Sequence, residues 1–306
     1  MVRILSQLPD RRVRSRLAAG RLNLRIGPFA VKVRSALPAF AEWLPVLYGD
    51  HELADPEGFA DFQVRVDRPR GLRRWWRPQA VFRFDGAVPF KPLPLVQALP
   101  LFEWGLNWVV ARHAQRYLIL HAAVVARDGR ALLLPGEPGA GKSTLCAGLA
   151  ARGWRLLSDE LALIRADRGD LLPLPRPVSL KNGSLAVIRD LVPGARFGPF
   201  CRDTAKGVVA HVRPPRGSVE RSAEPARPTW VVFPRFRSGG GGEAEVCPAD
   251  ETLRRLIGTS FNYGVQGPAG FHALADIAAG VPAYCLEYGD LERACGQIET
   301  LAAAAP

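Results

Sequence analysis

Residues Gly136-Glu137-Pro138-Gly139-Ala140-Gly141-Lys142-Ser143 read G-x-x-x-x-G-K-S. Glycines stand where a backbone must bend sharply and approach a polyanion closely. The N–H groups of such a loop, with the N-terminus of the helix that follows, point at phosphates. Lys142 adds a cation for the β- and γ-phosphates, and the Ser143 hydroxyl has the reach to ligate Mg²⁺. The flanks agree. Arg130-Ala131-Leu132-Leu133-Leu134-Pro135 reads as a buried strand entering the loop, and Ser143 to Ala151 as a helix leaving it. A glycine-rich turn that matches by accident lacks this strand–loop–helix setting. The segment Gly136 to Thr144 is therefore the expected phosphate-binding loop of a nucleoside-triphosphate-binding α/β protein.

Two neighbours narrow the chemistry. Trp154-Arg155-Leu156-Leu157-Ser158-Asp159-Glu160 reads as the next strand, ending in two carboxylates. The carboxyl ends of strands in an open α/β sheet face the crevice that holds the ligand. One acid there, Asp159, suits Mg²⁺ together with Ser143. The other, Glu160, suits acceptance of a proton from an attacking hydroxyl. A surface or helix-capping acid pair is the bland alternative. His121 lies on the strand Tyr117 to Val125, which the Asp128-Gly129 turn folds back against the strand entering the loop. Its imidazole is either a partner of a phosphate or of the acid pair, a proton-transfer group, or a structural histidine.

Before this core, Leu22-Asn23-Leu24-Arg25-Ile26 and Ala30-Val31-Lys32-Val33-Arg34 alternate apolar and polar residues about a Gly27-Pro28-Phe29 turn, as a hairpin requires. Phe62 to Val66 and Ala80 to Phe84 repeat the alternation, and Leu37 to Tyr48 has helical spacing. The expected organisation is a smaller N-terminal α+β unit over 1–92, opening with a basic, partly ordered arm of about twenty residues, then a catalytic domain over 93–306. In the second part, Leu95 to Gln115 reads as a helix whose aromatic residues pack a core. Leu161 to Leu172 reads as a hairpin, and Ser238 to Glu243 as a flexible loop. Asp250 to Thr259 and Gly270 to Ala279 read as helices, followed by a strand Ala283 to Glu287 and a closing helix from Asp290.

The chain has 306 residues, 48% of them hydrophobic and 23% charged, the composition of a soluble globular protein. Its start lacks a secretory cleavage pattern, and the apolar stretch Leu93 to Val110 is interrupted by Pro94, Pro100 and Glu103, against a membrane span. Five cysteines, with no C-x-x-C pair and no histidine cluster, suggest neither a disulfide framework nor a structural zinc site. A reducing cytoplasm fits. The net charge of +12 is carried largely by arginine, in runs over Arg11 to Arg25 and Arg68 to Arg77, the second around Trp75-Trp76. It reads either as an electrostatic dock for an acidic partner or as solvated arginine in an arginine-rich proteome. No nucleic-acid motif accompanies it, so no nucleic-acid partner is expected.

The run His121-Ala122-Ala123-Val124-Val125, then Gly136 to Thr144, then Arg152 to Glu160 resembles the catalytic domain of bacterial HPr kinase/phosphorylase, with matching intervals over about residues 117 to 165. The resemblance implies a phosphate-loop fold related to phosphoenolpyruvate carboxykinase. It also implies transfer of the γ-phosphate of ATP, with Mg²⁺, to a serine hydroxyl on a small protein. Glu160 stands where that family usually has aspartate, and its later glycine-rich signature is not visible. The whole chain looks more like the HPr-kinase-related kinases of the "kinase A" type. Similar kinases accompany PqqD-like peptide-carrier proteins. Lys142, Asp159, Glu160 and His121 are then the catalytic group, and a peptide or small protein is the acceptor. A homo-oligomer is left open.

Two other functions stay in view: a kinase for a small molecule such as a sugar or lipid head group, and a nucleotide-dependent binding module with little transfer activity. Phosphoryl transfer needs positive charge beyond the loop lysine. Arg176, Lys181 and Lys206 are candidates for an acceptor or phosphate clamp, or else ordinary surface cations.

Overall fold

Alternating strands need one face covered, and those of the N-terminal part gather into a single sheet. The computed structural model describes residues 3–69, 71, 76 and 78–304. Arg70, Arg73, Arg74, Trp75 and Arg77 of the second basic run lie outside the described residues, as does the Met1-Val2 start. Strands β1 (Leu22–Ile26), β2 (Phe29–Arg34), β3 (Phe62–Asp67), β4 (Gln79–Phe84) and β5 (Leu93–Pro94) are neighbours in sequence order. All pairs are antiparallel except β2 with β3. A parallel pair needs a long crossover, and helix α2 (Pro38–Tyr48) lies in it. Val31, Val33, Val64, Val66 and Phe82 are buried on the inner face.

The expected N-terminal arm is instead structured. Leu5 is fully buried, and residues Asp10–Ala19 form helix α1, with Val13 and Leu17 one turn apart and buried. Gly20 ends it in the left-handed conformation at φ +70°, its N–H returning to Arg16 and Leu17 carbonyls. Arg11, Arg12 and Arg14 cover the outer face, so the charge that suggested an arm belongs to one side of an amphipathic helix.

The chain does not divide at residues 92 and 93. Helix α3 (Ala98–His113) puts Phe102 edge-on to Phe40 at 5.2 Å, and Trp108 edge-on to Phe84 and Phe90 at 6.1 and 5.6 Å. Most of that helix therefore belongs with the first sheet. One compact unit comprises Met1–Val110, Arg176–Ala186 and Pro193–Glu220; the other comprises Ala111–Pro175, Val187–Val192 and Arg221–Pro306.

The second unit opens with β6 (Leu118–Arg127), which turns at Asp128-Gly129 into β7 (Arg130–Pro135). After the phosphate loop come α4 (Lys142–Ala151), β8 (Arg155–Ser158), β9 (Leu161–Ile164) and β10 (Leu171–Leu172). The chain then returns to the first unit for a three-stranded antiparallel sheet, β11 (Val178–Lys181), β13 (Gly207–Val212) and β12 (Cys201–Thr204) in that order. It re-enters the second unit as β14 (Arg227–Phe236), β15 (Glu245–Val246), α5 (Ala249–Thr259), α6 (Tyr263–Gly280), β16 (Ala283–Tyr288) and α7 (Leu291–Ala304). The expected helix from Gly270 is the second arm of α6, which kinks at Gly267 beside Pro268.

The large sheet runs β10-β9-β6-β7-β14-β16-β15, with β8 also on β6. β7, β14 and β16 are mutually parallel. Their residues are apolar on both faces, as a sheet covered on both sides requires. Leu120, Val124, Leu133 and Val231 share a core with Leu256, Leu274 and Ile277 of α5 and α6. Leu132, Val232 and Tyr284 face Trp154 and Ile298 on the other side. The second unit is thus a mixed α/β structure with helices on both faces of its sheet. Among the described residues, no helix is long and apolar enough to cross a membrane.

Candidate functional site

The loop leaves the buried end of β7 and enters α4 as the sequence predicts. Gly139 and Gly141 adopt φ of +91° and +90°, where a side chain is strained. At Gly141 a Cβ would also collide with the Tyr288 hydroxyl. That phenol donates to the Gly141 carbonyl at 2.8 Å, and burial pushes it above its ordinary range, so it acts as a neutral donor. The Ala140 carbonyl accepts from Phe236 N–H at 3.1 Å. The loop is thereby tied to the ends of β14 and β16. Lys142 is buried, and its ammonium donates to the Gly136 and Glu137 carbonyls at 2.6 and 3.0 Å, inside the loop's curve. Ser143 and Thr144 follow, half-buried, in the first turn of α4. Positive φ glycines, an inward ammonium and a helix N-terminus fit a bound polyphosphate.

The acid pair sits at a break in a strand. β8 pairs with β6 from Ala126 to Val124, and β9 pairs with it from His121 to Leu118; Asp159 and Glu160 form the bend between them. Both strands keep one register with β6 across that bend, Ser158 opposite Val124 and Leu161 opposite His121; the extra residue of the pairing is Leu157, inside β8. Register then sets the level. Ala122 lies opposite Pro135, the last residue of β7, while His121 lies opposite Leu161. The loop, His121 and the acid pair therefore share one level across three neighbouring strands, spanning about 10 Å at the usual strand spacing. Glu160 Oε2 and His121 Nε2 are 3.2 Å apart, both half-buried, and Phe261 lies against the imidazole at 5.9 Å. Asp159 is buried, at 4% exposure. It is close enough to α4 that, after burial itself, its charge is the main influence raising the Cys146 thiol.

The candidate clamp residues all lie in the first unit. Arg176 is buried, and its guanidinium donates to the Glu103 carboxylate at 2.9 Å, the Glu103 carbonyl at 3.0 Å and Asn107 at 2.7 Å. Tyr48 completes the group by donating to Glu103 at 2.7 Å. That is a structural ion pair, in contrast to an exposed clamp. Lys181 is held at its backbone by Ser184, and the exposed Lys206 ammonium lies 5.5 Å from the Trp104 ring.

Sequence reasoning missed Tyr288 and Phe236, which come to the loop from strands far along the chain. Phe236 stays 50% exposed beside the loop, with its ring edge-on to Tyr288 at 5.6 Å. The cysteines are free thiols, yet two of them meet: Cys247, Glu251 and Cys285 bring their ligand atoms within 4.8 Å of one another. The Arg255 guanidinium is ion-paired with that Glu251 carboxylate.

Residues 99–178 match a family model described as SynChlorMet cassette protein ScmC, a stretch that contains His121, the loop and the acid pair. No curated protein matches the sequence. Among solved structures the chain is similar to the Hpr(Ser) kinase/phosphatase from Coxiella burnetii, at 13% identity over 60% of this chain and 97% of that one, with a TM-score of 0.28.

Proposed function

We propose that this chain is an ATP- and Mg²⁺-dependent kinase that phosphorylates a hydroxyl, a serine by preference, on a peptide or small protein. The observation that carries the reading is the Glu160–His121 pair at the same level of the sheet as the phosphate loop. A loop that only holds nucleotide has no need of a proton acceptor at that level. Bound MgATP supplies the phosphoryl group, with the metal neutralising part of its charge. Lys142 and the N–H groups at the start of α4 hold the phosphates, and Ser143 and Asp159 would hold the metal. Glu160 accepts the acceptor's proton as its oxygen bonds to the γ-phosphorus and the bond to ADP breaks. His121 orients the Glu160 carboxylate. In the sheet, β7 lies between β6, which carries His121, and β14, which ends in Phe236. A nucleotide held on the loop would have β6, with His121 and Glu160, on one side and the exposed ring of Phe236 on the other.

The test is incubation of the protein, or of Lys142→Ala, with γ-labelled ATP and a lysate of the source cells. Loss of charge-assisted contacts worth about 1.5–3 kcal/mol should weaken ATP binding at least tenfold in the variant. A labelled polypeptide that depends on Lys142 supports the proposal. A labelled metabolite would make the chain a small-molecule kinase, and ATP binding without label would make it a nucleotide-dependent binding module.

A further inference from the structure

Three arginines of the first unit form one row across its sheet. With Val33, Val64, Val66 and Phe82 turned inward, the alternate residues of β2, β3 and β4 face out. The register sets Arg34 opposite Arg65, and Arg65 opposite Arg83. Neighbouring strands are only about 4.8 Å apart, and like charges directly opposed across a sheet are destabilising. Three arginines nevertheless cross the sheet side by side. They line a cleft of about 610 Å³ whose wall also carries Lys32 and Arg68. Two carboxylates, Asp67 and Asp85, answer these five cations. Asp67 is ion-paired with Arg65; among the described residues no such pair reaches Arg34 or Arg83.

Outward strand positions tolerate uncharged polar residues, so the fold itself does not require this row. A cluster that weakens the free sheet and opens into a cleft is the signature of a site whose occupant restores the balance. We propose that the Arg34–Arg65–Arg83 row binds a carboxylate-rich segment of a peptide or protein. Guanidinium forks match carboxylates in pairs of parallel hydrogen bonds. Among the described residues no aromatic side chain lines the cleft for bases to stack on, unlike surfaces that track a single nucleic-acid strand. Every residue of the cleft belongs to the first unit, so the proposal stands whether or not the phosphate loop transfers phosphate.

Fluorescence anisotropy with a labelled oligoglutamate, at low ionic strength, tests it on the full chain. Arg34→Gln/Arg83→Gln is compared with Arg11→Gln/Arg12→Gln, which removes the same charge from the exposed side of α1. The first pair should weaken binding at least about tenfold, as expected for lost charge-assisted hydrogen bonds. The second should leave binding nearly unchanged. Relief of repulsion should also leave the unfolding temperature of the first variant equal to or above that of the parent. Equal losses in both variants, no oligoglutamate binding by the parent, or a lowered unfolding temperature in Arg34→Gln/Arg83→Gln would each overturn the proposal. Tighter binding of a charge-matched oligothymidylate would do so too, by making the row a nucleic-acid surface.

Discussion

Glu160 offers the sharpest separation between holding a nucleotide and using it. An amide in its place keeps the shape and a hydrogen-bonding group beside His121, while losing the basicity. Glu160→Gln should therefore bind MgATP like the parent and transfer phosphate about 10²–10⁴-fold more slowly in single turnover, the usual contribution of a positioned base. A parental transfer rate would move that role to Asp159. The loop was legible in the sequence because each of its residues answers a local demand: positive φ at Gly139 and Gly141, charge at Lys142. The acid pair was legible as residues but not as a bend between two strands that share one neighbour. That bend exists only because β8 before it and β9 after it both pair with β6. Tyr288 carries no local mark of its contact with Gly141, since that contact is set by the parallel alignment of β14 and β16.

At the scale of elements, alternation and helical spacing placed β1 to β4, β6 to β9 and most of the later helices, left β11 and β12 unread, and failed at α1, where charge drew attention from periodicity. Val13 and Leu17 carry the spacing of α1, but two residues among several arginines are a faint signal. The same weighting made Arg176 a clamp candidate. A cation after a strand near a phosphate loop looks functional until its burial is known, and burial depends on α2 and α3 meeting over Glu103. Tyr48 and Arg176 share that carboxylate, and the Tyr48 phenol is raised well above its ordinary value by burial and then by the Glu103 charge. Arg176→Met would leave Glu103 buried without its cation, which costs about 3–5 kcal/mol. For a unit of this size that is roughly 10 °C in unfolding temperature, readable by scanning calorimetry. An unchanged unfolding temperature would return Arg176 to the list of functional cations.

The whole molecule is threaded in a way that no local pattern announces: the chain leaves the first unit, builds half of the second, returns for residues 176–186 and 193–220, and leaves again. A boundary at 92/93 follows the change from alternating strands to helix, yet α3 keeps its aromatic side with the strands before it. Phe102 rests on Phe40 and Tyr48, and Trp108 on Phe84 and Phe90. A fragment spanning 93–306 would retain the loop, the acid pair and His121 while uncovering Phe102 and Trp108 and removing Tyr48 from the buried Glu103–Arg176 pair. Large apolar patches of this kind drive association. The fragment should therefore sediment as aggregate, or bind MgATP far more weakly than the full chain at equal concentration. The full chain should remain dispersed, and MgATP at 100-fold above its dissociation constant should stabilise it by about 2.7 kcal/mol. A dispersed fragment with the full chain's nucleotide affinity would show that the second unit folds without the first, and that α3 owes its place to the sequence that follows it.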